Sequence, residues 1–290
     1  MRLFLKAKQT MQKLTIFNAY NQAKKALQKA GIESYGFEAR QIIRHITGLS
    51  NSEIISKCNE PLTPYQQMMY NSVIERRASR YPLQYILGEW SFYGLDFYVG
   101  EGVLCPRPDT ETLVNTALEF LKDKPKAEVI DLCSGSGCIA IAVAKNSDAA
   151  VTAVEKYDTP FTYLEKNIER NGANVTAIKQ DIYAYVPEKK YDLILSNPPY
   201  VSADEMETID AETAFEPDTA LYGGEDGLSF YRHIAENWKK HLKKGGMLAV
   251  EVGINQADRV SDIFQAVGFK NIGTANDLSG VQRVVFGTVE

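Results

Sequence analysis

Apolar residues in the first eighty positions recur every three to four residues, the spacing of helices that bury one face. Three such segments are bounded by start or stop signals: residues 23–30 before Gly31, residues 37–46 before Gly48, and a segment from Thr63-Pro64 to Arg80. Glycine after a helix and proline in its first turn are typical of such boundaries. A shorter helix between them would be capped by Asn51 or Ser52. The pattern predicts a helical bundle over residues 1–80.

The pattern changes at residue 81. Residues 82–99 are rich in aromatic and β-prone side chains and are interrupted by glycines. This composition favours a β-hairpin with its turn near Tyr93-Gly94. Residues 81–105 are therefore predicted to form a hairpin linker between the helical bundle and a second domain.

From residue 106 to residue 290, apolar strand-like runs alternate with helical segments. The predicted strands are residues 128–132, 150–155, 175–180, 191–195, 247–252, 269–274 and 283–289. Helices are predicted between them, including one over residues 227–242 that stops at Gly245-Gly246. Alternation of this kind indicates an α/β domain, a Rossmann-like and mostly parallel sheet of seven strands with helices on both faces.

Composition and net charge limit the classes of protein to which this chain can belong. The chain has 290 residues, 44% of them apolar and 24% charged, which suits one large or two medium globular domains. A net charge of −5 disfavours a broad phosphate-binding surface. No run approaches the ~20 apolar residues of a membrane span. The first residues lack a signal-peptide pattern, and Met11 is a second candidate start.

Cysteine and histidine usage gives no sign of a metal site. The four cysteines form no C-x-x-C pair, and the three histidines are scattered over predicted helices. Free thiols of this kind are typical of a reducing cytoplasm, which is the expected location.

A glycine-rich turn comes after the first strand of the α/β domain. It is built from Asp131 and from the run Cys133, Ser134, Gly135, Ser136 and Gly137. The two glycines allow a sharp bend and close approach of the backbone to a ligand. No Gly-Lys-Ser/Thr comes next, and the full dinucleotide fingerprint is missing. Asp-x-x-x-Gly-x-Gly is the form such loops take for S-adenosylmethionine.

Acidic residues stand at the tips of the next two strands. Glu155 is placed to accept hydrogen bonds from both ribose hydroxyls of a nucleoside. A solvated glutamate at a strand end is the alternative, and the glycine loop before it favours ribose binding. Asp181 would accept from the adenine amino group, while Ile182 packs on the ring. Because ligands of such sheets bind at the carboxyl ends of the strands, these side chains should meet.

The fourth strand ends in a rigid turn, Ser-Asn-Pro-Pro-Tyr at residues 196–200. The oxygen of Asn197 and the carbonyl of Pro198 could accept the two hydrogens of a planar NH2 group. Pro199 completes the turn, and Tyr200 would pack on the flat face of the substrate. Holding the nitrogen in this way makes it a better nucleophile by orientation and fixed dipoles. A plain turn that ends a strand is the alternative.

Residues 105–111 form a second polar group. Two prolines fix an extended segment, and Asp109 or Thr110 is placed to cap a helix reaching Leu121. Arg107 is close in sequence to Asp109 and Glu111. It belongs either to the edge of the binding site or to an ordinary linker.

These motifs together resemble a known family. The α/β domain is similar to class I S-adenosylmethionine-dependent methyltransferases, and the chain after about Thr15 resembles release factor glutamine methyltransferases of the HemK/PrmC type. The matching segments are residues 82–88, 106–111, 196–200 and 215–217, with the helical domain in front.

The resemblance implies a function. The reaction would be methylation of the N5 nitrogen of the glutamine in the Gly-Gly-Gln motif of peptide chain release factors, with S-adenosylhomocysteine as product. Residues 133–137 and Glu155 would hold the cofactor, and residues 197–200 and Arg107 would hold the substrate. The helical domain would dock the release factor, without direct contact with nucleic acid or membrane. Cys133 and Ser136 replace the family's common Gly and Thr, and Ile182 replaces a residue that is often aromatic.

Two alternatives use the same residues. The Asn-Pro-Pro-Tyr turn also occurs in enzymes that methylate adenine N6 in DNA, although only about ninety residues come after it here and all belong to the sheet. The acidic composition also disfavours phosphate contacts. A protein that binds release factor without catalysis is the second alternative, and the intact turn argues against it.

Overall fold

A computed structural model describes residues 14–290, so the candidate start at Met11 lies outside the described residues. The chain divides into two compact units. The first ends at Leu87, and the second is Gly88–Glu290. The hairpin belongs to the second unit.

The first unit is helical, as predicted. Its helices are α1 (Ile16–Lys29), α2 (Tyr35–Thr47), α3 (Asn51–Ser56), α4 (Pro64–Ala78) and α5 (Leu83–Leu87). Buried side chains of α1 follow the helical period: Ile16, Ala19, Ala23 and Leu27. The short α5 falls in the segment predicted to be β-prone, and that part of the prediction is wrong. Buried Leu83 and Ile86, three residues apart, lie on one side of this helix.

The start of α3 also differs from the prediction. The capping residue is Ser50, not Asn51 or Ser52. Ser50 Oγ accepts from the amide of Glu53 at 3.3 Å, and Glu53 Oε2 accepts from the amide of Ser50 at 2.9 Å. This reciprocal capping box satisfies two helix-end donors at once, which a cap one residue later would lose.

The second unit opens with a two-stranded hairpin, β1 (Glu89–Phe92) and β2 (Leu95–Tyr98). Its turn residues Tyr93 and Gly94 have φ of 52° and 73°. Positive φ at both central residues is the geometry that two-residue hairpin turns prefer. The predicted turn is confirmed.

The α/β domain comes next along the chain. Its elements are α6 (Glu111–Leu121), β3 (Glu128–Leu132), α7 (Cys138–Asn146), β4 (Ala150–Glu155), α8 (Asp158–Asn171), β5 (Val175–Lys179), β6 (Tyr191–Ser196), α9 (Ala203–Met206), α10 (Asp218–Leu221), α11 (Ser229–His233), β7 (Leu242–Glu251), α12 (Ala257–Ala266), β8 (Lys270–Asn276) and β9 (Gln282–Thr288).

These strands form one seven-stranded sheet in the order β5-β4-β3-β6-β7-β9-β8. Strands β3 to β7 are parallel, and β9 is antiparallel to both of its neighbours. The buried side chains of α6, α7 and α8 cover one face, and those of α11 and α12 cover the other. The predicted fold class is confirmed. The order reverses between β3 and β6, which is where such sheets bind ligands.

The segment before β7 differs from the prediction. Helix α11 has only five residues and continues as a π turn, Ile234–Trp238, and a 3₁₀ turn, Lys239–His241. Strand β7 then begins at Leu242 and includes the two glycines that the sequence pattern assigns to a helix end. A Cβ on Gly246 would lie 2.8 Å from the Lys243 carbonyl and 3.1 Å from that of Asp192. Gly246 therefore permits close strand packing beside the register shift in the β6–β7 pairing, whereas Gly245 is set apart by its φ of 71°.

None of the helices formed by residues 14–290 has both the length and the apolar character needed to cross a membrane.

Candidate active site

A cavity opens at the carboxyl ends of β3, β4 and β6. Most of the residues predicted for the site line it: Arg107, Cys133, Ser134, Gly135, Ser136, Glu155, Asp181, Ile182, Asn197 and Pro199. The sheet brings them together because the parallel strands end at one edge.

The glycine loop after β3 is fixed by its own backbone. The amide of Ser134 donates to the Val154 carbonyl at 3.0 Å, and the amide of Gly137 donates to the Ser134 carbonyl at 2.8 Å. Gly135 has φ of 53°, and a Cβ there would meet no atom within 4 Å among the described residues. The backbone at Gly135 is therefore open to the cavity, as a loop that approaches a ligand requires.

Cys133 stands in this loop with φ of 59°, a conformation that glycine adopts without strain. We expect Cys133→Gly to be more stable than Cys133→Ala by about 1 kcal/mol, because both lose the thiol and only alanine keeps the strain. Urea unfolding of the two variants measures this difference.

The matched control is Ala140, inside α7, where glycine should be less stable than alanine by about 1 kcal/mol. Equal stability of the two Cys133 variants would contradict a strained backbone at this position.

Glu155, the last residue of β4, is buried beside the loop. Its Oε2 accepts from the amide of Gly135 at 2.9 Å, and its Oε1 accepts from the amides of Lys156 and Tyr157 at 2.8 Å each. Burial raises the pKa of this carboxyl, and the three backbone donors oppose that shift. The carboxylate thus fixes the loop and presents its remaining lone pairs to the cavity.

The far wall of the cavity is more aromatic than the sequence indicated. Besides Ile182 it includes Tyr157, Pro160, Tyr183 and Phe230. The Tyr183 ring stacks on His233 with centroids 3.9 Å apart and meets Phe230 edge-on at 5.6 Å. The aromatic side chain missing at position 182 is thus supplied by the next residue and by α11.

Asp181 already has protein partners. Its Oδ1 accepts from the amide of Tyr183 at 3.0 Å, and its Oδ2 lies 3.0 Å from Lys156 Nζ. An adenine amino group would share this carboxylate with Lys156. His233 Nε2 and Trp238 Nε1 lie 3.1 and 3.2 Å from the Ile182 carbonyl, which fixes the segment.

The turn at the end of β6 is held from two sides. On one side, Asn197 Nδ2 donates to Thr110 Oγ1 at 3.4 Å. On the other, Gln256 Nε2 donates to the Tyr200 carbonyl at 2.9 Å, and a Cβ on Gly223 would lie 2.7 Å from the Pro199 carbonyl. The Asn-Pro-Pro-Tyr turn is therefore part of a packed assembly and is not a free loop.

Four residues predicted for the site do not line the cavity: Asp131, Gly137, Pro198 and Tyr200. Asp131 is fully buried below the glycine loop, and neither of its carboxylate oxygens has a hydrogen-bond partner among the described residues. Burial raises the pKa of Asp131 to about 8.

The Tyr200 ring lies against Gly253, and a Cβ on that glycine would be 3.1 Å from the ring. Burial raises the pKa of the Tyr200 phenol.

Arg107 lies at the cavity edge, paired with Glu216. The distance from Nη2 to Glu216 Oε2 is 2.5 Å, and Glu216 Oε1 accepts from the amide of Cys105 at 3.0 Å. This buried carboxylate therefore joins residues 105–107 to the loop around residue 216. Of the two residues predicted to cap α6, Thr110 occupies the cap position without a side-chain cap bond, and the Asp109 carboxylate lies 2.9 Å from Arg283 Nη2. The Thr110 hydroxyl accepts from Asn197 instead.

Metal ligands are not assembled here. Within residues 14–290 no group of three or more His, Cys, Asp or Glu side chains is arranged to hold an ion. Cys58, Cys105, Cys133 and Cys138 are free thiols.

Two family models match this chain. Residues 18–88 match the PrmC N-terminal domain, and residues 107–217 match the methyltransferase small domain. Curated relatives share most of its length. A release factor glutamine methyltransferase of Geobacter sulfurreducens is 39% identical over 265 residues, covering 91% of this chain and 93% of its own. The release factor glutamine methyltransferase of Thermodesulfovibrio yellowstonii is 39% identical over 253 residues, covering 86% of this chain and 90% of its own.

Solved structures agree on the fold. A methyltransferase from Pyrococcus furiosus has a TM-score of 0.51 at 20% identity, covering 77% of this chain and 95% of its own. The catalytic domain of hMettl16, solved in complex with the MAT2A 3′UTR hairpin 6, has a TM-score of 0.55 at 15% identity. The match covers 78% of this chain and 82% of the hMettl16 chain. At these identities the likeness shows the fold alone.

Proposed function

The chain belongs to the release factor glutamine methyltransferase family, and from that premise we propose that it methylates the N5 nitrogen of the glutamine in the Gly-Gly-Gln motif of a release factor. The methyl donor is S-adenosylmethionine. The observation that carries the proposed site is the position of Asn197, which lines the cavity at the end of β6. Strand β6 pairs directly with β3, the strand that ends in the glycine loop.

The residues around the cavity fit this cofactor. Glu155 is a buried carboxylate at the tip of β4, suited to the two ribose hydroxyls. Ile182, Tyr183 and Phe230 offer apolar and aromatic surface for the adenine. The open backbone at Gly135 suits the methionine portion. Asp131 would act from beneath the loop, through Ser134, whose hydroxyl donates to the Asp131 carbonyl at 2.8 Å.

The substrate amide would be held by the turn. Because Asn197 Nδ2 is engaged by Thr110, Oδ1 is the atom left to accept a hydrogen from the glutamine NH2. The Pro198 carbonyl, which does not line the cavity here, would accept the second hydrogen once substrate is bound, and Tyr200 would support the turn from behind. Arg107, partly exposed at the cavity edge, would contact the release factor backbone near the glutamine.

The rate of methyl transfer then depends mainly on how the glutamine nitrogen is positioned against the methyl group. S-adenosylmethionine supplies a methyl group on a sulfonium, which is a good leaving group. The C–N bond would form as the C–S bond of the donor breaks, and the amide proton would leave to solvent. Asn197 and Pro198 direct the nitrogen lone pair toward the methyl carbon, a contribution of orientation and fixed dipoles.

DNA adenine methylation uses a similar turn but is not favoured. The relatives that cover most of this chain are named for release factor glutamine. A net charge of −5 also disfavours binding to a phosphate backbone.

The first unit would dock the release factor, and the family match over residues 18–88 supports this division of labour. We assign residues 1–80 to substrate docking, 81–105 to the linker and 106–290 to methyl transfer. A cytoplasmic location is consistent with the four free thiols.

Intact-mass measurement of a release factor after incubation with this protein and S-adenosylmethionine tests the proposal. We expect the mass to rise by one methyl group, and a release factor with Gln→Ala in the Gly-Gly-Gln motif to stay unchanged. Methyl transfer to adenine in duplex DNA, with none to release factor, would overturn it.

A further inference from the structure

Glu251 ends β7, the strand beside the one that delivers Asn197. The parallel register pairs Leu195 with Ala249 and Ser196 with Val250. Alternation along both strands therefore brings Asn197 and Glu251 to the same face of the sheet, one step further on. The Glu251 side chain is 2% exposed. A buried carboxylate thus lies next to the residue that would hold the substrate amide.

Within the part of the chain that the structure describes, Glu251 forms no ion pair. Its Oε2 has no hydrogen-bond partner among residues 14–290. Arg283, whose charge acts on Glu251, is held by two other acids, with Nη2 2.9 Å from Asp109 Oδ2 and Nε 3.1 Å from Asp277 Oδ2. An unpaired buried carboxyl is costly, so a role in fold stability alone explains it poorly.

Polar and ionisable side chains from several segments of the chain surround Glu251. The titratable and charged groups that face it are Asp109, Arg283, Cys138, Tyr200 and Tyr231, and the polar groups are Thr110 and Asn197. Burial raises the pKa of Glu251 to about 7, while hydrogen bonding from Thr110, the charge of Arg283 and hydrogen bonding from Asn197 lower it in part.

Thr110 connects Glu251 to Asn197. Its hydroxyl is buried and does not cap α6, although it stands at the cap position. The oxygen accepts from Asn197 Nδ2 at 3.4 Å. The hydroxyl hydrogen is then available to the Glu251 carboxylate, which can only accept when it is ionised.

We propose that Glu251 is a positioning residue for methyl transfer: it orients the Thr110 hydroxyl, which holds the NH2 end of Asn197 and turns Oδ1 toward the substrate amide. The inference rests on the proposed function, since it concerns the same reaction. A protonated Glu251 can donate to the Thr110 oxygen instead. The Thr110 hydrogen is then free to bond Asn197 Oδ1 and withdraws the acceptor from the substrate.

The test is steady-state methylation of release factor by wild type, Glu251→Gln, Glu251→Leu and Thr110→Val across pH 5.5 to 8.5. Wild-type kcat should rise as pH increases through about 7, the pKa of the buried carboxyl. Glu251→Gln should retain part of this kcat, without the inflection. Glu251→Leu and Thr110→Val should lose about tenfold or more in kcat at pH 8, with KM for release factor near wild type.

The double variant Thr110→Val/Glu251→Leu should be no slower than the slower single variant, because both changes break one chain of contacts. Glu165→Gln, on the exposed side of α8, is the matched control and should behave as wild type.

Wild-type kcat in Glu251→Leu, or an unchanged pH inflection in Glu251→Gln, would overturn the inference. If Glu251→Leu fails to fold, the pH profile of Glu251→Gln decides it. Absence of methyl transfer by the wild type would instead refute the proposed function, so the two failures are distinct.

Discussion

Replacing Asn197 by alanine should lower kcat for methyl transfer by about 10²- to 10³-fold, the loss expected on removal of one fixed polar group from a reacting centre. The side chain lines the cavity, and its NH2 end is held by Thr110. Alanine would leave the glutamine nitrogen without its acceptor, while the glycine loop and Glu155 stay in place. Affinity for S-adenosylmethionine should therefore remain close to that of wild type.

Single-turnover transfer and calorimetric cofactor binding separate these two effects. Asn174→Ala, in the exposed loop just before β5, is the control, because it removes the same side chain at the end of the sheet opposite the cavity. A variant at position 197 with wild-type turnover would refute the proposed role of the turn.

Replacing Glu155 by glutamine should weaken binding of S-adenosylmethionine by about 100-fold, or about 2.7 kcal/mol. The change removes a charged acceptor from the proposed ribose site. It also directs an NH2 group at backbone amides that now donate to the carboxylate at 2.8 to 2.9 Å. Isothermal calorimetry measures the loss, and turnover at saturating cofactor should recover in large part.

Glu165→Gln, which changes an exposed glutamate on α8, is the matched control for this measurement. Wild-type affinity in Glu155→Gln would mean that the ribose does not bind at the tip of β4.

The sequence predicts the residues that lie at strand ends. Gly135, Glu155 and Asn197 each come after an apolar run, and the parallel sheet brings such positions to one edge. The local sequence pattern, together with the rule that ligands bind at the carboxyl ends of parallel strands, is enough to predict these three residues. The hairpin turn at Tyr93-Gly94 is predictable for the same reason, since its geometry is set by adjacent residues.

Contacts between distant segments are not predictable in this way. Thr110 and Asn197 are 87 positions apart, and Cys105 and Glu216 are 111 positions apart. Nothing near Thr110 in the sequence distinguishes a helix cap from a partner of Asn197. Glu251 resembles an ordinary strand end in the sequence, because the groups that surround it, Thr110, Asn197 and Arg283, are distant along the chain.

The same limit explains the errors around Gly245-Gly246. A glycine pair normally predicts the end of a helix. Here the pair lies inside β7, where the carbonyls of Lys243 and Asp192 leave no room for a side chain at Gly246. That steric reason exists only once β6 and β7 are paired.

The most direct test of the account is to locate the methyl group on the product. Release factor methylated by this protein is digested and fragmented, and the Gly-Gly-Gln peptide is hydrolysed in acid. A methyl group on the glutamine side chain, released as methylamine on hydrolysis, is the expected result, because the turn at Asn197 is proposed to hold that amide nitrogen. A methyl group on another residue, or one that yields no methylamine, would contradict the account.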